Sequence, residues 1–180
     1  TAPGIRIEIM PLSNDTARLL ENGDADLALG LIPQLDAGFH QQLLFRQDFV
    51  CMVGREHPRL RDGLNLAQFE AEDHAVVISS GSAPSIVEHE IGRRGIKRRV
   101  ALKIPSFLGA AFVVEHTDLL VTIPRRLAEL LQGRGSFRIF PVPFDLPDYE
   151  VKQHWHERYH HDDGNRWLRG VVSRLLSEAP

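Results

Sequence analysis

Cysteine is nearly absent from this chain. Cys51 stands alone among 180 residues, which excludes an internal disulfide framework and suits a reducing compartment. No apolar run approaches the ~20 residues that a membrane-spanning helix requires. The opening TAPGIRIEIM lacks a basic stretch leading into an apolar core, so no secretory leader is read there. Positive charge is not in excess either. The formal net charge is −3 with histidine neutral, and the chain as a whole is not an electrostatic nucleic-acid binder. Also missing are a GxSxG elbow, an HExxH pair, Cys/His zinc spacing, a P-loop and a dinucleotide fingerprint. What remains is an ordinary globular composition, 43% hydrophobic and 25% charged, long enough for a sizeable core. Internal repeats and low-complexity tracts are absent.

Strand and helix patterns alternate along the chain. IRIEIM reads as a strand with Ile5, Ile7 and Ile9 on one face. Ser13 then caps a helix through Leu19 and Leu20, which Gly23 ends in a left-handed conformation. DLALGLI and FVCMVG are almost wholly apolar, as strands covered on both faces of a parallel sheet are. HAVVISS, RVALKIP, DLLVTIP and EVKQHWHER continue the strand set. Helices follow in APSIVEHEIGRRG, SFLGAAFVVEHT and RRLAELL, with Pro124 in a first helical turn. The proline-rich FRIFPVPFDLPDYEV reads as an extended connector, and GNRWLRGVVSRLL as a closing helix offering Trp167, Leu168, Val171, Val172 and Leu175 to the core. Repeated β-α-β order predicts parallel sheets with helices on both faces, whose ligands sit beyond the carboxyl ends of the strands.

Hydroxyls collect at those ends. Ser13, then Ser79, Ser80, Ser82 and Ser85, then Ser106, and a fourth site at Thr122 all lie at strand-to-helix junctions. Such a hydroxyl caps the helix, and with free backbone N–H groups it can also hold a carboxylate or similar anion. Several at equivalent positions favour a shared anion-binding cleft over plain capping. The HWHERYHHDD stretch places His154 and His156 on one strand face ahead of His160, Asp162 and Asp163. Its spacing fits a solvated turn better than a metal site, so no metal or cofactor is expected. Arg93, Arg94, Lys97, Arg98 and Arg99 read as a solvated basic face, and Cys51 as a core thiol. Asp24 and Asp26 read as turn residues.

Four stretches, taken together and in order, resemble the effector-binding domain of LysR-type transcriptional regulators. They are LLENGDADLALG, LLFRQDFVCMVGREHPRL, RRVALKIPSFLGAAFVVEHTDLLVTIPRRLA and WHERYHHDDGNRWLR, and they cover nearly the whole chain. The last two are most similar to the branch that answers salicylate, nitroaromatics and nodulation flavonoids. The resemblance implies an α/β, two-lobed fold like that of type 2 periplasmic-binding proteins. Lobe I would comprise residues 1–46 and 148–180, and lobe II residues 47–147. A small aromatic or carboxylated effector would bind between them and control transcription allosterically. Ser13 and Leu31 would line the cleft from lobe I; Ser79, Ser80, Gly81, Pro105, Ser106, Phe107 and Thr122 would line it from lobe II. Phe107 would contact an aromatic ring or fill core space.

Against that pattern the chain is expected to lack the family's first strand and helix, leaving an incomplete pocket, and to carry no DNA-binding domain. The resemblance further implies self-association as dimer or tetramer, DNA contact only through a helix-turn-helix outside this chain, no membrane partner, a cytoplasmic location and no catalysis. A solute-binding protein of a transport system is the alternative on the same scaffold. An enzyme is the third reading and would need a paired acid and base in the cleft.

Overall fold

The computed structural model describes residues 2–35, 37–78, 82–133 and 136–177, the side chains of 82–85 excepted. The chain runs α1 (Thr16–Asn22), β1 (Ala28–Gly30), β2 (Phe39–Gln47), β3 (Phe49–Gly54), α2 (Leu66–Ala71), β4 (Asp73–Val77) and α3 (Ser82–Arg94). It continues with β5 (Arg99–Ile104), α4 (Phe107–Glu115), β6 (Leu119–Pro124), α5 (Arg125–Gln132), β7 (Phe137–Pro141), β8 (Tyr149–His156), a short 3-10 turn and α6 (Asp163–Leu176).

Two sheets result. One is small and antiparallel, in the order β1-β8-β2; the other has five strands in the order β5-β4-β6-β3-β7. Within the larger sheet β4 runs parallel to β5 and β6, whereas β3 runs antiparallel to β6 and β7. The all-parallel expectation therefore fails: β3 follows β2 almost directly and enters its sheet without a crossover helix.

The FVCMVG pattern does what its composition demands. All six residues of β3 are buried, because helices cover both sides of the strand. Alternate side chains divide between two cores. Val50 and Met52 join Ala75, Val77, Val121 and Ile123 beneath Ala110, Ala111 and Val114 of α4 and Ala128 of α5. On the other side Phe49, Cys51 and Val53 meet Phe69 of α2, Val87 and Ile91 of α3, and Leu60. A third, smaller core gathers Leu20, Ala28, Ile32 and Leu35.

Several expectations need correction. IRIEIM forms no strand: its residues pair with none of the described strands, and Ile7 and Ile9 are 73% and 90% exposed. Alternation supplies a strand's two faces, but its backbone groups still need a neighbour to pair with. DLALGLI keeps only three strand residues, and Leu29 is exposed. The closing helix forms, capped by Asp162 through Asn165 N–H at 2.8 Å, yet Trp167 and Leu175 stay exposed rather than entering a core. β2 and α2 were not anticipated from the sequence. Gly23 is left-handed (φ 81°), as expected, and the asparates beside it lie in the following turn, where Asp26 C=O accepts from Asn165 Nδ2 at 2.7 Å.

Candidate functional site

Strands β4, β5 and β6 run in parallel, so their carboxyl ends share one edge of the larger sheet. Helices α3, α4 and α5 begin at that edge. Ser106 is the N-cap of α4, its hydroxyl accepting from Gly109 N–H at 3.3 Å. Ser106 and Pro105 are exposed there, and Phe107 follows half-buried. Pro124 closes β6 and sits just before α5 rather than inside its first turn.

Under this edge lies a recess lined by Phe49, Ala75, Val76, Val77, Val87, Glu88, Arg98, Phe107 and Thr122. Its enclosed part is about 10 Å³, room for one water, and it widens to about 280 Å³ with the space open to solvent. Six of the nine lining residues are apolar, and the other three are Thr122 and the Glu88–Arg98 ion pair. Thr122 is buried within β6, not at a helix start, and its Oγ1 lies 3.8 Å from Cys51 Sγ. Burial pushes the Cys51 thiol up to about 12, only partly offset by Thr122 and by the charge of Arg98, so it stays protonated and inert.

The chain crosses between the sheets at two adjacent places. Gln47 at the end of β2 pairs with Tyr149 at the start of β8, and Phe49 packs against Tyr149 with ring centres 5.2 Å apart. Buried Gln47 donates from Nε2 to Asp48 C=O at 3.0 Å. The Asp48 carboxylate accepts from Arg125 Nε at 2.9 Å and from its terminal nitrogen at 2.6 Å, which ties the start of α5 to the crossing. One wall of the recess, Phe49, is thus also a crossing residue.

The structure brings Phe107 and Thr122 together in the recess, with Pro105 and Ser106 on the same turn as Phe107. Ser13 and Leu31 do not line it. Ser13 also does not cap α1: the helix starts at Thr16, and the Ser13 hydroxyl accepts from Asp15 N–H at 3.2 Å in the turn before it. Leu31 packs against the core that contains Phe49 and Tyr149. Ser79, Ser80 and Gly81 lie outside the described residues, as do the side chains of Ser82 and Ser85.

The basic run divides in a way the sequence did not signal. Arg93 and Arg94 pair with Glu90 one turn back on α3, and exposed Arg99 pairs with Asp73. Arg98 departs from the solvated-face expectation, since its side chain is only 6% exposed. Nothing in GRRGIKRRV separates Arg98 from Arg99, because tertiary packing alone decides which guanidinium turns inward. Val87, Glu88 and Phe49 were likewise not anticipated as lining residues.

Three histidines of the HWHERYHHDD stretch are hydrogen-bonded within the fold. His154 Nε2 meets Gly30 C=O at 3.3 Å, and His156 Nδ1 accepts from Arg158 N–H at 3.2 Å. Trp155 donates from Nε1 to His160 Nδ1 at 3.2 Å while Arg169 covers its ring at 4.2 Å. Among the described residues no group of three or more histidine, cysteine or acidic side chains is placed to hold a metal ion. No described helix is long and apolar enough to cross a membrane.

The model of the LysR substrate binding domain matches residues 1–177. The chain belongs to this family. Its fold is the α/β, periplasmic-binding-protein-like fold of LysR regulatory domains. It is 37% identical over 179 residues to the transcriptional activator NagR of Ralstonia, covering 99% of this chain and 60% of NagR. It is 36% identical over 159 residues to the transcriptional activator NahR of Pseudomonas putida, covering 88% of this chain and 53% of NahR. A probable transcriptional regulator from Pseudomonas aeruginosa superimposes with a TM-score of 0.84 at 31% identity, over 96% of this chain and 57% of that one. This LysR-family chain therefore spans between half and two thirds of the length of these activators. They are regulators rather than enzymes or transport components, so neither competing reading is favoured.

Proposed function

We propose that the chain is the effector-sensing domain of a LysR-type transcriptional regulator, binding a small aromatic or carboxylated molecule. It would work as two lobes, residues 1–46 with 148–180 and residues 47–147, joined at the Gln47–Phe49 and Asp148–Tyr149 crossings. The observation that carries this reading is the recess at the strand ends. Its lining residues are mostly apolar and its polar side chains few and convergent, which is how small-molecule sites are built. Phe49 lines the recess and packs on Tyr149 at the crossing, so a ligand against Phe49 bears on the joint between the sheets.

Ser106, Phe107 and Thr122 are the contacts proposed from lobe II, with Pro105 beside them; Ser13 and Leu31 lie outside the recess and are proposed as contacts only across the gap from lobe I. A ligand that favours one relative orientation of the lobes shifts the population toward it, by a coupling of about 1–3 kcal/mol in most allosteric proteins. The complete regulator would act in the cytoplasm as a dimer or tetramer and meet DNA through a helix-turn-helix outside this chain.

Thermal unfolding in the presence of salicylate and benzoate tests the reading, with Trp155 and Trp167 fluorescence as a second signal. A ligand at a hundred times its Kd adds about 2.7 kcal/mol to stability, a readily measured rise in the midpoint. If neither acid moves the midpoint or the fluorescence, the proposed effector class is wrong.

A further inference from the structure

We infer that Arg98 reads the carboxylate of the effector and that Glu88 occupies its place until the effector arrives. This rests on the sensing function proposed above and assigns the ligand a chemical class, an aromatic monocarboxylate. Arg98 precedes β5, at the end of the sheet opposite the helix starts, because Arg99 pairs in register with Asp73 at the beginning of β4. Its side chain nonetheless lines the same recess as Phe107 and Thr122. Its ion pair with Glu88, and its place beside Val87 in the recess, put it against the α3 side of the sheet.

A buried guanidinium must be neutralised where it lies, since an unpaired buried charge is strongly unfavourable. Glu88 of α3 supplies the neutralising carboxylate. The two partners are unequal: Arg98 is 6% exposed, whereas Glu88 is 50% exposed. The cation is fixed and the anion can leave, because Glu88 has water on one side to rehydrate its carboxylate. With Glu88 in place the enclosed space holds about one water, so a ring cannot enter unless Glu88 swings out.

A ligand carboxylate that takes over Arg98 leaves the buried charge balance unchanged. It also meets a planar fork suited to two parallel hydrogen bonds. Its ring then lies among Phe49, Val76, Val87 and Phe107. A neutral amide of the same shape cannot replace Glu88, because it would leave the guanidinium without a counter-charge.

The test is calorimetric titration of the intact chain with benzoate and salicylate against benzamide and salicylamide, repeated on Arg98→Met, Arg98→Lys and Glu88→Gln. The wild type is expected to prefer each acid over its amide by tenfold or more. Arg98→Met should abolish that preference, and Arg98→Lys should retain part of it. Glu88→Gln should tighten acid binding severalfold, since the internal competitor is gone; this variant decides the matter if Arg98→Met does not fold. An unchanged acid-to-amide ratio in Arg98→Met, or weaker acid binding in Glu88→Gln, overturns the inference. Equal binding of acids and amides by the wild type overturns it too, while leaving the sensing function standing. Binding of none of the four compounds removes both.

Discussion

Alanine in place of Gly54 probes the packing that sets the height of α4 above the sheet. A Cβ built on Gly54 stands 2.8 Å from the carbonyl oxygen of Val114 and 3.1 Å from that of Glu115. Both are backbone atoms at the end of α4, so no rotamer change relieves the contact and either the helix or β3 must shift. Gly54 is not among the glycines with positive φ, so the penalty is steric and not conformational. Forcing a methyl group into a closed contact costs about 1–3 kcal/mol. Reduced freedom of the unfolded chain returns about 0.4–1 kcal/mol. A net loss of about 1–2 kcal/mol is expected, and at about 2–4 °C per kcal/mol for a chain of this size the midpoint should fall by several degrees. Gly63→Ala is the control, because nothing lies within 4 Å of its Cβ. Urea unfolding of the two variants beside the wild type gives the comparison. If Gly54→Ala is as stable as Gly63→Ala, α4 does not close on β3 as described. Phe107 opens the same helix, so affinity for an aromatic acid should fall together with stability.

Ser106→Ala removes the cap bond to Gly109 N–H, which should cost about 1 kcal/mol in urea unfolding and weaken effector binding; unchanged affinity in titration would take Ser106 out of the site. Gly23→Ala combines a left-handed φ of 81° with a Cβ that collides with the Tyr159 hydroxyl, and circular-dichroism melts should show a lower midpoint. Wild-type stability there would contradict the turn geometry. Burial holds His74 and His154 below the ordinary imidazole range. The unfolded chain therefore binds more protons at mildly acid pH than the folded one. The stability these two contribute is complete above the ordinary imidazole value of about 6.5 and is lost progressively as pH falls from there toward their lowered folded-state values. Unfolding free energies at pH 7.5 and 5.5 measure the effect, and replacing His74 and His154 by residues that do not titrate should flatten the profile.

The element types were legible where local chemistry leaves few choices. Six consecutive apolar residues in FVCMVG admit only a strand covered on both faces, and Gly23 marks a left-handed stop that side-chain-bearing residues rarely supply. Ser106 could be read as a cap because a cap depends on residues three apart in sequence. The family, too, was legible from ordered local stretches.

Tertiary structure decided whatever depends on a distant partner. IRIEIM has the alternation of a strand, yet a strand exists only where another pairs with it, and none of the described strands does. The direction of β3 follows from its short link to β2, not from its composition. The recess shows the division most sharply. Phe107 could be picked out because it opens a helix, and Thr122 was named for a helix start that it does not occupy, but Arg98 was one of five equivalent cations in a run. Its burial against Glu88, ten residues away on α3, comes from the packing of that helix on the sheet, which no local pattern encodes.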